Sequence, residues 1–453
     1  MSDRIDLIIR SGSVVTPEGV SQADMGVAEG RIVRIAPAIA EPAMEEIDAT
    51  GRIVFPGILD AHVHFNEPGR ADWEGLGSGS AALAAGGGTC FFDMPLNSEP
   101  PVLEAARFRE KRLLAERLSC TDFALWGGLV PGNLDQLAGL RDAGAIGLKA
   151  FMCDSGIASF PRVDAAALRA GMKRAAQLGL LVAVHAEDEA LAAKFTATQK
   201  ATGRAGARAW LASRPVEVEL EAIRVALELA GETGCALHIV HVSSPEGLAL
   251  VAGARDRRVD VTAETCPHYL LFNDKDVARI GAPAKCAPPI RDQKRRLALW
   301  AELRAGRIHT VGSDHSPAPP EMKTADDFFA IWGGIAGVQH GFQLLLGECA
   351  ATREKDLPVL AAVLARNVAR RFQLDEHKGL LAEGRDADFS LIEFGPPHAI
   401  AADELWTRHR ISPYVGRSSC VRVTHTYVRG AAVFADGRLT NRPASGQFIK
   451  PQR

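Results

Sequence analysis

The fold of this chain is decided by residues 56–70, which read PGILDAHVHFNEPGR. An apolar run with the texture of a β-strand ends there in two histidines, His62 and His64, one residue apart. Alternate residues of a strand point to the same face, so both imidazoles could bind a single ion. The pair alone fits a packed core as well as a metal site. The remaining strands of the chain decide between these two interpretations.

Seven more strand-like runs follow, and helical stretches separate them as far as residue 378. They read TCFFDMP, FALWGGL, AIGLKAFM, LVAVHAE, ALHIVHVS, VDVTAET and RIHTVGSDH. Eight such strands with helices between them predict an α/β protein built on a (β/α)8 TIM barrel. The alternative is an open doubly wound sheet, but no strand runs into the Gly-x-Gly-x-x-Gly turn of that fold.

Both ends of the chain have a different texture, with short β-branched runs and frequent glycines. Each end is too short to bury a sheet face alone, so we expect the two to pair. The sequence therefore predicts a small β-sandwich domain made of residues 1–55 and 379–453, beside a barrel domain of residues 56–378.

The composition is that of an ordinary soluble globular protein, with 47% hydrophobic and 24% charged residues and a net charge of -3. It indicates neither nucleic acid nor a membrane as a partner. No segment reads as a signal peptide or membrane span, so a cytoplasmic location is expected. The eight cysteines are scattered singly with no Cys-x-x-Cys pair, which favours neither disulfides nor a structural zinc knot.

Polar residues recur where the barrel strands end, which is where barrel enzymes carry their functional groups. Besides His62 of the first strand, these positions hold Lys149, His185, His241 and Asp314. Ionisable groups are expensive to bury unless they are paired or metal-bound, so packing alone explains this set poorly. Lys149 has two interpretations: a buried salt bridge, or a carbamate made with carbon dioxide, whose two oxygens could bridge two ions.

The segments DAHVH, GLKAF, VHAE, HVSSPEG and SDHSP together resemble the cyclic amidohydrolases, the family of dihydroorotase, hydantoinase and allantoinase, across nearly the full chain. The resemblance implies two divalent metal ions and a carboxylated lysine. One ion would be held by His62, His64 and Asp314, the other by His185 and His241, with the Lys149 carbamate as bridge. Zinc suits these ligands, and manganese, cobalt or iron are compatible with them. The family also suggests a homotetramer.

The expected chemistry is hydrolysis of a cyclic amide. Bound metal lowers the pKa of water toward about 7 and polarises the carbonyl. The resemblance makes Asp314 the catalytic residue, which accepts the proton of the attacking hydroxide and returns it to the leaving ring nitrogen.

Asn66 bears on the substrate. Related dihydroorotases resemble HVHxREPG here, with an arginine for the substrate carboxylate, whereas this chain reads HVHFNEPG. A neutral amide is a poor partner for a carboxylate, so a neutral ring is favoured. The tracts EPGRADWEG, DMPLNSEP, KCAPPIRD and WGGIAG resemble the allantoinase branch of the family, whose substrate, allantoin, is an uncharged hydantoin ring bearing a ureido arm.

Alternatives stay open at this point: a hydantoinase, dihydropyrimidinase or dihydroorotase acting on a related ring, or a non-catalytic scaffold, which should lack metal ligands. Further candidates for substrate contact are Arg70, Asn97 and the backbone of Ala287. By strand alternation, His238 is predicted to point away from the site.

Overall fold

The computed structural model describes residues 5–440 and 445–452. The amino-terminal strands are β1 (Ile5–Thr16), β2 (Gly19–Ala28), β3 (Arg31–Ala36), β4 (Ala43–Asp48) and β5 (Ile53–Pro56). The central strands are β6 (Ile58–Val63), β7 (Gly88–Asp93), β8 (Asp122–Leu125), β9 (Gly127–Gly128), β10 (Leu148–Phe151), β11 (Val182–His185), β12 (Leu237–Ile239), β13 (Val261–Thr265) and β14 (Thr310–Val311). The carboxy-terminal strands are β15 (Phe389–Ala399), β16 (Ser418–Val428), β17 (Ala431–Ala435) and β18 (Arg438–Leu439).

The central strands form the expected barrel. Parallel pairing runs from β6 through β7 to β8, and from β9 through β10, β11, β12 and β13 to β14. Only Trp126 separates β8 from β9, so the two segments occupy one strand position. A parallel bridge between Val63 and His315 brings the last position back to the first. The barrel therefore has eight strand positions, and the fold predicted from the sequence is confirmed.

Helices cover the outside of the barrel. They are α1 (Leu76–Ala85), α2 (Ala105–Leu118), α3 (Leu137–Ala143), α4 (Ala165–Leu178), α5 (Glu189–Ala201), α6 (Ala207–Ser213), α7 (Val216–Thr233), α8 (Pro245–Asp256), α9 (Pro267–Leu271), α10 (Asp274–Ile280), α11 (Gln293–Arg304), α12 (Gly341–Glu348), α13 (Arg353–Ala361) and α14 (Asn367–Arg371). Side-chain caps begin several of them, as where Ser244 accepts a hydrogen bond from the backbone N–H of Gly247 at the start of α8.

The two chain ends share one nine-stranded sheet, as their common texture predicts. In it β15 lies between β5 and β16, and Leu391 is paired with Val54. Leu7, Met25 and Phe389, from three of these strands, belong to one buried apolar cluster. The limits of the two domains, residues 1–55 with 379–453 and residues 56–378, stay a prediction.

A buried ion cluster joins the sheet to the barrel. Lys378 donates to Asp122 at the start of β8 and to Asp388 just before β15, both at 2.6 Å, and its Nζ lies 2.9 Å from Asp386. Arg429, in the turn after β16, also pairs with Asp122. Every charge in this cluster has an opposite charge in contact, which is the usual condition for burying such groups.

No helix of the described segments is both long and apolar enough to cross a bilayer. The eight cysteines are free thiols, as their spacing predicts.

Candidate metal centre and substrate cavity

The barrel strands bring the six sequence-predicted metal ligands to one place. Lys149 and His185 lie on the adjacent strands β10 and β11, and His62 lies on β6. His241 and Asp314 follow the ends of β12 and β14 by two and three residues, with φ angles of 41° and 46°. Non-glycine residues adopt this left-handed region rarely, and here it turns two polar side chains toward the site.

Three of these side chains meet around a single point. Asp314 Oδ1 is 3.2 Å from His62 Nε2 and 3.6 Å from His64 Nε2, and the three ligand atoms all lie within 4.8 Å of one another. The ring centroid of His241 is 5.4 Å from that of His62 and 4.6 Å from that of His185. Two imidazoles and a carboxylate on one side, with two further imidazoles beside them, suit two divalent ions.

The electrostatics of the centre also fit metal. Burial lowers the pKa of His62, and it lowers that of His241 well below the usual range, which keeps lone pairs available for a ligand bond. The Nδ1 atoms of His64 and His241 have no hydrogen-bond partner although both are buried. Orphaned polar atoms are rare in folded proteins and require an explanation. A metal ion would give His241 Nδ1 a partner, whereas His64 would present Nε2, the atom that faces Asp314.

Lys149 is fully buried, and among the described residues its Nζ has no hydrogen-bond partner. The salt-bridge interpretation is therefore wrong, and the ammonium lies 5.2 Å from the ring centre of Phe151. Burial lowers the pKa of Lys149 to about 8, against the opposing charges of Asp314 and Glu264. A substantial neutral fraction near pH 8 is the form that can react with carbon dioxide.

Glu264, at the end of β13, is a site residue that the sequence reasoning missed. Its Oε1 accepts a hydrogen bond from His62 Nδ1 at 2.8 Å, which leaves His62 Nε2 facing Asp314. Burial opposes its ionisation, but the His62 charge and hydrogen bonds from histidines lower its pKa to about 2. A carboxylate behind a metal-binding histidine sets the tautomer and orientation of the ring.

The expectation that His238 points outward is wrong. His238 is fully buried beside Ala183 in the strand register, donates or accepts at Thr262 Oγ1 (2.7 Å) and lies 3.6 Å from Glu264 Oε2. The prediction assumes that the strand continues to His241, but β12 ends at Ile239 and His241 has a left-handed backbone, so the alternation of the strand does not relate the two histidines.

A second group of potential ligands adjoins the centre: the ligand atoms of Cys153, His185 and Glu187 lie within 4.8 Å of one another. Arg214 already occupies this corner, since its NH1 is 2.6 Å from Glu187 Oε2. A cation bound by these three residues would be repelled by the positive charge of the Arg214 guanidinium, so the group is not a further metal site.

The centre opens into a cavity of about 370 Å³. Of the residues predicted to contact substrate, Asn97 and Ala287 line it. Asn66 and Arg70 do not: the buried Asn66 amide points to the carbonyl of Pro317, and Arg70 donates to the carbonyl of Asn97 at 3.2 Å. For these four residues the contact with substrate stays a prediction.

Residues 329–334 form one wall of the cavity, and two lysines hold that wall. Lys285 Nζ donates to the carbonyls of Phe329 and Ile331 and lies 4.1 Å from the ring centre of Trp210. Lys323 donates to the carbonyls of Trp332 and Gly334, both at 2.8 Å. Both ammonium groups are therefore already bound by backbone carbonyls, and that of Lys285 also contacts the face of Trp210.

Comparison with known proteins is consistent with this geometry. Residues 53–433 match the model of the amidohydrolase family. The chain belongs to the amidohydrolase family. It is 50% identical over 448 residues to an allantoinase from Deinococcus radiodurans, with 99% of each chain covered. It is 49% identical to an allantoinase from Solibacter usitatus, covering 99% of this chain and 97% of that one.

Solved structures in the same family share the whole architecture. An L-hydantoinase (dihydropyrimidinase) from Arthrobacter aurescens superimposes with a TM-score of 0.95 at 33% identity, covering 98% of this chain and all of that one. The family is metal-dependent, in agreement with the cluster of ligand atoms at the barrel mouth.

Proposed function

We propose that this protein is an allantoinase, which hydrolyses the hydantoin ring amide of allantoin to give allantoate in purine catabolism. The observation that carries the proposal is that five of the six predicted metal ligands line one cavity, with Lys149 buried on the adjoining strand β10, in a chain about half identical over 99% of its length to allantoinases. The same convergence argues against a non-catalytic scaffold, which would not need to retain these residues.

Two divalent ions fit the residues present. His62, His64 and Asp314 would hold one ion, His185 and His241 the other, and Lys149, as its carbamate, would bridge the pair. The ions, zinc by preference, would supply water of lowered pKa and polarise the ring carbonyl. Asp314 Oδ1 would take the proton from the attacking water and pass it to the ring nitrogen that leaves.

The charges around the cavity support a neutral substrate. Arg214 lines the cavity, but its guanidinium is paired with Glu187 at 2.6 Å. Lys285 is bound to two backbone carbonyls. Among the described residues, no cation lining the cavity is left for a substrate carboxylate, which disfavours dihydroorotate. Asn66 does not line the cavity, so the preference for a neutral substrate rests here on the paired state of Arg214 and Lys285.

A hydantoinase or dihydropyrimidinase activity is the second candidate, since the L-hydantoinase from Arthrobacter aurescens has nearly the same fold. Its 33% identity is well below the 50% shared with an allantoinase. We also propose a homotetramer and a cytoplasmic location, on family resemblance and composition respectively.

The test is the initial rate on allantoin, hydantoin, dihydrouracil and dihydroorotate, measured side by side with metal content on the same sample. We expect allantoin to be preferred, with about two metal ions per chain. Faster opening of dihydroorotate would contradict the argument from cavity charge, and preferred opening of hydantoin or dihydrouracil would favour the second candidate.

A further inference from the structure

The barrel wall behind His185 contains a chain of three polar side chains. Glu187 follows His185 by two residues and is fully buried. Its Oε2 accepts a hydrogen bond from His185 Nε2 at 2.9 Å and another from Arg214 NH1 at 2.6 Å. One carboxylate oxygen is thus shared by a predicted metal ligand and by an arginine that reaches the cavity.

The hydrogen bond to Glu187 determines which nitrogen of His185 can bind metal. An ionised carboxylate only accepts hydrogen bonds, so Nε2 carries the hydrogen and Nδ1 keeps the lone pair. The imidazole also stacks on Phe151, with ring centroids 4.6 Å apart and planes 12° from parallel. The stacking on Phe151 therefore fixes the plane of the His185 ring, and the hydrogen bond to Glu187 fixes the orientation of the ring within that plane.

Arg214 holds Glu187 in turn. The other oxygen of Glu187, Oε1, has no hydrogen-bond partner in the part of the chain that the structure describes, so Oε2 alone anchors the carboxylate there. Arg214 is itself restrained, because its guanidinium lies 4.9 Å from the ring centre of Trp210 and its backbone carbonyl accepts from Arg291. A buried carboxylate that lost this cation would be left with a single neutral donor.

We infer that Glu187 and Arg214 are a positioning pair for the second metal ion: Glu187 orients His185, and Arg214 acts only through Glu187. This inference rests on the proposed function insofar as it takes His185 to be a metal ligand. It assigns neither residue a contact with substrate.

The test measures zinc affinity and stoichiometry by chelator competition, with no need for catalysis. The variants are Glu187→Gln, Arg214→Met and the double variant. The control is Asp386→Asn, which removes one carboxylate from the ion cluster around Lys378. That cluster joins the sheet to the barrel and contains none of the predicted metal ligands. Cobalt-substituted protein gives a second readout, because its visible spectrum reports the ligands around the ion.

We expect Glu187→Gln to lower the affinity for one of the two ions by about 10- to 100-fold and to leave the affinity for the other unchanged. Arg214→Met should lower the affinity for the same ion, and the double variant should have the same zinc affinities as Glu187→Gln alone. Asp386→Asn should bind both ions as the wild type does. If Arg214→Met aggregates, Arg214→Lys in the Glu187→Gln background tests the same dependence.

Two results would overturn the inference. One is a Glu187→Gln variant with wild-type affinity for both ions, and the other is a double variant whose loss of zinc affinity equals the sum of the losses, in free energy, of the two single variants. A wild-type protein that binds two ions but ignores allantoin would remove the proposed substrate and leave the inference standing. A wild-type protein that binds no second ion would overturn both.

Discussion

Two fully buried lysines in this molecule have opposite surroundings. Lys378, where the sheet meets the barrel, has three carboxylates within 3 Å. Lys149, at the barrel mouth, has no hydrogen-bond partner within residues 5–440 and 445–452. Burial alone would lower both pKa values, but the charges of Asp388, Asp122 and Asp386 hold that of Lys378 well above its usual range. The pKa of Lys149 falls to about 8.

The difference separates a structural charge from a chemical one. Lys378 is a permanent cation whose neighbours already satisfy it, so its role is to hold the sheet on the barrel. Lys149 is an amine with an accessible neutral form beside the predicted metal ligands, which is the condition that carbamate formation requires. Burial of a lysine therefore says little about its role until its partners are known.

The largest expected effect is that of Lys149→Arg. Arginine stays charged and cannot form a carbamate, so the bridge between the ions is lost. We expect allantoin hydrolysis to fall on the order of 10⁴-fold, equal to about 5.5 kcal/mol of activation free energy. Circular dichroism should keep the wild-type spectrum, which would show that the loss of activity does not come from unfolding.

Lys149→Ala sharpens this point, because it leaves space where the carbamate would stand. Acetate or propionate should restore part of the activity in a concentration-dependent manner. Full activity of Lys149→Arg would contradict the chemical role of this lysine.

Lys378→Met should have the opposite signature. It removes the cation shared by three carboxylates, of which Asp122 keeps Arg429 as a partner. Removing one partner of a buried ion pair typically destabilises a protein by about 3–5 kcal/mol. We expect a clear fall in the unfolding midpoint in urea, with unchanged activity per folded molecule at low temperature. An unchanged midpoint, or a specific loss of zinc, would break the contrast between the two lysines.

Glu264→Gln is expected to have a smaller effect than either lysine variant. Loss of the carboxylate behind His62 should weaken zinc binding by about 10- to 100-fold, measured by chelator competition. A variant that keeps wild-type affinity would show that His62 needs no support from β13.

The smallest effect is expected at Asn97, which lines the cavity and has a φ angle of 68°. Asn97→Gly removes the amide and tolerates that backbone angle. The loss of one hydrogen bond to substrate should lower kcat/KM for allantoin by about 2- to 10-fold, with zinc binding unchanged. An unchanged kcat/KM would show that the Asn97 amide serves the protein, through its contact with Ser316 Oγ at 3.4 Å, and not the substrate.

The sequence predicts those parts of the molecule that depend on local pattern. The eight barrel strands and the six residues at their ends follow from periodicity and residue type. Glu187 could also have been found, because it follows His185 within the run VHAE. The predicted outward orientation of His238 is wrong because β12 ends before His241. The left-handed backbone of His241 leaves no periodic signal in the sequence.

Contacts between distant segments could not be predicted from one sequence. Lys378 and Asp122 are 256 residues apart, and His62 and Glu264 are 202 apart. No spacing rule relates such pairs, since the closure of the barrel brings them together. Asn66 shows the converse: its place in a motif predicts a substrate contact, which stays a prediction, and its side chain is not among those that line the cavity.

The most direct test is carbon-13 NMR of metal-free protein reconstituted with zinc and labelled bicarbonate, with allantoin hydrolysis measured on the same samples. We expect one carbamate resonance that appears together with activity in the wild type and is absent from Lys149→Arg. Full allantoin hydrolysis without that resonance, or a resonance that persists in Lys149→Arg, would contradict the account.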